Sequence, residues 1–232
     1  MKSKSSFYDN RVVYKPWGYE YTIYRNSNHL CVTLLRINYN KSTSLHCHPK
    51  KKTGFILISG RALIQLGLWK SSSELYNAPS KLMIRTGLFH STKAISENGA
   101  CVFEIETPVD KHDLVRLDDK YGREGTPYED STFETPKAED CLWINDSDSD
   151  YNFSGCNLKV EVIDSVNKFN KKDDEENIIF LRGGIKTDNG NFVAQAGDVV
   201  SSIIIKKLIK LFTIVSDNTI IMTIKKNINE WF

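Results

Sequence analysis

The sequence predicts an all-β chain folded as a barrel or sandwich. Apolar clusters at 31–37, 55–58, 62–68, 82–84 and 101–105 are short, and Gly60, Gly67, Gly87 and Gly99 stand between or beside them. Runs of that length broken by turn residues fit antiparallel strands, not the strand–helix alternation of a parallel sheet. The second observation is polar. His46 and His48 flank Cys47, and residues i and i+2 of a strand share one face. The third is an internal echo, in which Ile178-Ile-Phe-Leu-Arg-Gly-Gly184 repeats the apolar run and closing glycine of Phe55-Ile-Leu-Ile-Ser-Gly60-Arg61.

Along the chain, Tyr14-Lys-Pro-Trp-Gly-Tyr-Glu20 reads as a turn anchored by a buried Trp17. His46 and His48 offer two imidazoles to one point, with Leu45 and Cys47 turned the other way. His90, at the end of Ile84-Arg-Thr-Gly-Leu-Phe-His90, can complete a facial metal site from a later strand, and the plain alternative is a polar strand with surface histidines. Glu104 and Glu106 share a strand face in Phe103-Glu-Ile-Glu-Thr-Pro108. Parity leaves their direction open, because Phe103 and Ile105 compete for the interior. Residues 107–125 are charge-dense and end in Gly/Pro punctuation, which reads as an arm across the first barrel leading into a linker near 126–140. Beyond 141 come Asn191-Phe-Val-Ala-Gln-Ala-Gly-Asp-Val-Val200 and two further strand candidates, 212–215 and 220–224. The run 203–212 suits a barrel strand or edge helix better than a basic helix on a membrane. The expected division is a barrel over 1–110, an arm and linker over 111–140, and a second, histidine-free barrel over 141–232.

Composition sets bounds. With 232 residues, 31 basic against 29 acidic and a net charge of +2, no whole-chain field argues for nucleic acid. No apolar run approaches a membrane span, and no apolar segment follows the charged N-terminus as a secretory signal requires. Five scattered cysteines without CxxC spacing read as buried thiols in a reducing cytoplasm.

The two histidine phrases resemble the cupin family. His46-Cys-His48-Pro-Lys-Lys-Lys-Thr53-Gly-Phe-Ile-Leu-Ile-Ser-Gly60 is similar to its first motif, and Arg85-Thr-Gly87-Leu-Phe-His90 to its second. Thr53 stands where the family has a Glu ligand, and Arg85 where it has Pro. The Pro-Trp-Gly phrase at 16–18 and the 107–125 segment resemble those of sugar-pathway cupins, type II mannose-6-phosphate isomerases among them. The resemblance implies a jelly-roll β-barrel, here two in tandem with the second degenerate, and pairing of copies through sheet edges as a homodimer. It also implies a divalent metal (Zn, Fe, Mn or Ni) on His46, His48 and His90, or a site that has lost it.

Basic residues suggest the substrate. Lys50, Lys51 and Lys52 lie between the histidine pair and the next strand, Arg61 follows its glycine, and Arg85 and Lys93 bracket His90. A cationic rim so formed suits phosphate, whereas the alternative is a solvated turn. Glu104, with Lys52, is the candidate for proton chemistry. The expected function is a metal-dependent sugar-phosphate or nucleotide-sugar isomerase or epimerase. The alternatives are a non-catalytic sugar-nucleotide-binding protein of polysaccharide biosynthesis and a three-histidine iron dioxygenase.

Overall fold

A computed structural model describes residues 11–27, 29–124, 133–134 and 141–227. The chain divides into two compact units, Met1–Leu142 and Trp143–Phe232. The linker expected over 126–140 lies outside the described residues except for 133–134.

The first unit contains β1 (Val12–Lys15), β2 (Gly18–Asn26), β3 (Leu30–Ile37), β4 (Leu45–Cys47), β5 (Lys52–Ser59) and β6 (Arg61–Leu66). It continues with β7 (Ser73–Asn77), β8 (Ser80–Ile84), β9 (His90–Ala94), β10 (Ala100–Thr107), β11 (Val115–Asp118) and β12 (Phe133–Glu134). Each apolar cluster read from the sequence falls in or across one of these strands. One sheet runs β12-β1-β2-β3-β10-β5-β8 and the other β11-β4-β9-β6-β7. The eight strands from β3 to β10 therefore alternate between two antiparallel sheets in the orders 3-10-5-8 and 4-9-6-7, the jelly-roll arrangement.

Between the sheets lies an apolar core that includes Trp17, Leu35, Phe55, Leu57, Ile64, Ile84 and Val102. Trp17 sits in the two-residue turn between β1 and β2 and is buried, as the anchoring role requires. Gly18 follows because its Cα faces the Arg36 carbonyl with no room for a Cβ. Both faces of β10 are buried, with Phe103 and Ile105 at 0% exposure on one and Val102, Glu104 and Glu106 on the other. The competition between apolar and acidic residues for the interior has no loser. The arm joins the barrel outright: β11 extends the second sheet by pairing with β4, Arg116 opposite His46.

The second unit holds β13 (Ser149–Phe153), β14 (Cys156–Ile163), α1 (Asn167–Asn170), β15 (Asn177–Arg182), β16 (Gly184–Lys186) and β17 (Phe192–Gln195). Then come β18 (Val199–Ser201), α2 (Ser202–Leu208), β19 (Ile214–Val215) and β20 (Thr219–Lys226). Its sheets run β13-β14-β20-β15-β18 and β17-β16-β19. With β14, β20, β15 and β18 matched to β3, β10, β5 and β8, the same winding appears with one member missing. The strand equivalent to β4 is absent among the described residues, and α1 occupies its place in the chain. This is a degenerate jelly roll. The echo between 55–61 and 178–184 marks equivalent corners, β5 to β6 and β15 to β16. The run 203–212 forms the helix α2, capped by the Ser201 side chain accepting from Ile204 N.

At the first corner Gly60 has φ +83°, and a Cβ there would collide with the Gly99 carbonyl oxygen. Gly60→Ala should therefore destabilise the first unit by roughly 2–4 kcal/mol, read as a lower urea midpoint; an unchanged midpoint would show that the corner relaxes freely.

Candidate metal centre

The histidines meet. β4 pairs with β9 through His46 opposite His90, and pleat parity turns His48 to the same side. Ring centroids are 5.0 Å apart for His46–His48, 4.4 Å for His46–His90 and 5.3 Å for His48–His90. One ligand atom from each lies within 4.8 Å of the others. His48 and His90 are buried and His46 is half-buried.

Backbone carbonyls fix the tautomers. Nδ1 of His46 donates to Ser44 O at 2.9 Å, Nδ1 of His48 to Asp113 O at 2.6 Å, and Nδ1 of His90 to Leu88 O at 3.0 Å. A proton spent on each Nδ1 leaves a lone pair on each Nε2, the form that binds metal. The Nε2 atoms of His48 and His90 are buried and make no hydrogen bond. Burial, then repulsion from the neighbouring imidazoles, holds His46 well below its ordinary pKa and His90 at about 4. Both rings are thus neutral at pH 7.

A carboxylate stands beside His48. Glu104 Oε1 lies 3.7 Å from His48 Nε2. With Nδ1 committed to Asp113 O, Nε2 faces this carboxylate, an arrangement that either a cation between them or a second proton on the imidazole satisfies. Burial pushes the Glu104 carboxyl up, but His48 and Lys51 outweigh it and the net direction is down. The three imidazoles therefore fit a divalent ion, with the Glu104 carboxylate beside His48 in the same cavity. Thr53, at the family's Glu position, is buried with its hydroxyl unbonded and is paired across the sheet with Glu106.

Behind Glu104 lies Glu106, with 0% exposure. Lys51 Nζ binds its Oε1, and Lys111 Nζ reaches its Oε2 at 2.5 Å and the Thr33 hydroxyl at 3.1 Å. Burial raises the Glu106 pKa, but Lys111 and Lys51 together hold it well below the usual carboxylate range. The same carboxylate drives Lys111 up against the opposing effect of burial.

The expected cationic rim does not form as read. Lys51 is 1% exposed and spent on Glu106, because the 49–51 loop dips inward to meet the arm. Lys50 is exposed, and Lys52 is half-buried at the start of β5, outside the cavity wall. Arg61 lies at the far end of β6, four residues from Gln65, itself paired with Ser91 beside His90. Lys93 alternates to the outer face of β9, and Arg85 is exposed in the turn before His90. The cavity wall instead carries Lys15, Arg116 and Arg123, with Trp17, Phe55 and Glu20. Arg123 is held by a bidentate pair with Asp119 at 2.8 and 2.7 Å.

Glu20 was not legible as a site residue. It is 3% exposed, its Oε1 makes no hydrogen bond, and Lys15 Nζ stands 3.8 Å away. Burial pushes its carboxyl up, opposed by Lys15 and Lys111. The strand parity of β2 was the available signal, since Glu20 and Thr22 face inward together. The cavity volume is about 40 Å³, room for an ion and a water or two.

No protein-family model and no curated protein matches the chain. Among solved structures it is similar to an uncharacterised conserved protein with a double-stranded β-helix domain from Klebsiella pneumoniae, with 13% identity, 51% of this chain and 94% of the other covered, and TM-score 0.41. It is similar to KdgF from Halomonas sp., with 10% identity, 40% and 82% covered, and TM-score 0.36. It is also similar to the capsular polysaccharide assembling protein CapF of Staphylococcus aureus, with 14% identity, 47% and 34% covered, and TM-score 0.39. The jelly-roll strand order above establishes the fold without them.

Two outcomes follow. Below pH 6.5 the unfolded chain takes up a proton that buried His90 refuses, so metal-free protein should lose stability as pH falls to about 4, by on the order of 3 kcal/mol for this residue. Denaturant titrations of wild type and His90→Gln check this, the variant showing the shallower slope. Glu106→Gln should cost about 3–5 kcal/mol by leaving two buried ammoniums without their shared counter-charge, again read from denaturant midpoints.

Proposed function

We propose that the first unit is a metal-dependent catalyst of proton transfer on a sugar phosphate or nucleotide sugar, an isomerase or epimerase. The observation that carries this reading is the convergence of His46, His48, His90 and Glu104 beside a second buried carboxyl, Glu20, in one cavity. A divalent ion held by those four residues supplies Lewis acidity that steadies negative charge on a substrate oxygen. Glu20, in its ionised form, takes the proton from the carbon next to a carbonyl and returns it to the neighbouring carbon. Its raised pKa makes it a stronger base than an exposed glutamate, and Lys15 keeps the ionised form within reach. Glu104 is a ligand in this scheme rather than the base, its carboxylate held ionised by its neighbours.

The substrate is anionic. Lys15, Lys51 and Lys111 stand against Glu20, Glu104, Glu106 and Asp113, so a divalent ion leaves the interior with a net positive charge; Arg116 also lines the wall, and Arg123 is offset by Asp119. Phosphate answers this charge. A cavity this small takes in only the reacting carbon and oxygen atoms of the substrate, and the rest of the sugar lies outside it. A reducing cytoplasm suits a chain in which none of the five cysteines is disulfide-bonded. Binding without turnover is the second reading, favoured by the loss of the ligand-bearing strand from the second unit.

Purified protein should hold one metal ion per chain. His48→Ala should remove both metal and turnover while leaving the β-sheet circular dichroism unchanged. Glu20→Gln should keep the metal and lower turnover about 100-fold or more. Metal analysis showing less than a tenth of an ion per chain, with no aldose–ketose conversion across a sugar-phosphate panel, would overturn the proposal. A melting point raised by sugar nucleotides in the presence of chelator would favour the second reading.

A further inference from the structure

The outer face of the β11-β4-β9-β6-β7 sheet carries a second concavity, with a volume of about 260 Å³ against about 40 Å³ for the metal cavity. Its floor is set by register. Ser91, Gln65 and Ser73 lie side by side on β9, β6 and β7, as do Lys93, Leu63 and Leu75 in the next outward row. Asp118 and Leu45 continue the first row onto β11 and β4. The floor therefore spans five strands, roughly 19 Å at ~4.8 Å per strand.

Three kinds of surface meet there. Hydroxyls and an amide line the middle, leucines supply apolar patches, and Lys70, Lys93 and Lys120 ring the groove against one carboxylate, Asp118. None of those three lysines is in an ion pair among the described residues. Trp69, the chain neighbour of the lining residues Leu68 and Lys70, is 75% exposed. Large aromatics left this open are available to stack on a ligand.

We propose that this groove binds an acidic saccharide, a short sugar chain bearing carboxylates. A pyranose presents C–H faces to the leucines and Trp69, hydroxyls to Ser91, Gln65 and Ser73, and its carboxylates to the lysines. The surface suits other polyanions less well. Its lining has no aromatic side chain and no arginine, whereas single-stranded nucleic acid is gripped by successive aromatics along a basic track. It is concave, whereas a lipid surface calls for a protruding apolar face. Lys93 finds its role here because the pleat that sends His90 inward sends residue 93 outward. The site lies on the opposite face of the sheet from the histidines, so the proposal stands apart from the catalytic reading.

The test is calorimetry on the full chain with tetragalacturonate, and with cellotetraose as the neutral control, in low salt. The acidic tetrasaccharide should bind, the neutral one at least tenfold more weakly, and affinity should fall as salt rises. Lys93→Glu/Lys120→Glu should lower affinity about tenfold or more, with Lys93→Gln/Lys120→Gln intermediate and Trp69→Ala also weakened. Chelator should leave binding unchanged, which separates this site from the metal centre. Absence of heat with tetragalacturonate, affinity indifferent to the lysine variants, or tighter binding of a single-stranded DNA or of anionic phosphatidylserine vesicles through the same lysines would overturn it.

Discussion

The site depends on one buried carboxylate, that of Glu106, and the two ammoniums it holds. Through Lys51 it draws the 49–51 loop into the barrel, and through Lys111 it draws in the arm. Those two segments then lock to each other. The Asp113 carboxylate accepts from the backbone N–H groups of Lys50 and Lys51, and its carbonyl takes the Nδ1 proton of His48. A residue that cannot itself reach the histidine cluster thus sets the tautomer of one of its members. Burying three charges is costly unless they are mutually satisfied. Here each ammonium also has a neutral oxygen partner, Asp110 O for Lys51 and the Thr33 hydroxyl for Lys111.

From that clamp the chemistry follows by parity. The inward face of the first sheet carries Glu20, Glu104 and Glu106, and the second sheet supplies His46, His48 and His90. Two carboxyls in one cavity are pushed in opposite directions, Glu20 up and Glu104 down. Environments that separate two like groups in this way allot them different tasks, one to hold charge and one to carry a proton.

Much of this was legible in the sequence for definite reasons. The His46/His48 pairing follows from a strand period of two, and the Gly60 corner from its place after a closed apolar run. The direction of Glu104 was not decidable, because it competed with Phe103 for an interior that turned out to lie on both sides of β10. Lys51 was misplaced on the rim because depth in the fold is not a local property: its neighbours Lys50 and Lys52 look the same in sequence and are exposed or half-exposed. Arg116 and Arg123 were hidden in the charge-dense arm, and the pairing of β11 with β4 brings Arg116 to the cavity while Asp119 holds Arg123 there.

The second unit draws a separate lesson. Among the described residues it keeps equivalents of seven of the eight strands and lacks the one that, in the first unit, bears His46 and leads into His48. Cohesion of such a sandwich must come from the remaining strands, where Ile178, Phe180 and Ile221 are wholly sequestered. The histidine pair is then a detachable accessory, set on and just beyond a three-residue ribbon that a duplicate copy can forfeit without coming apart.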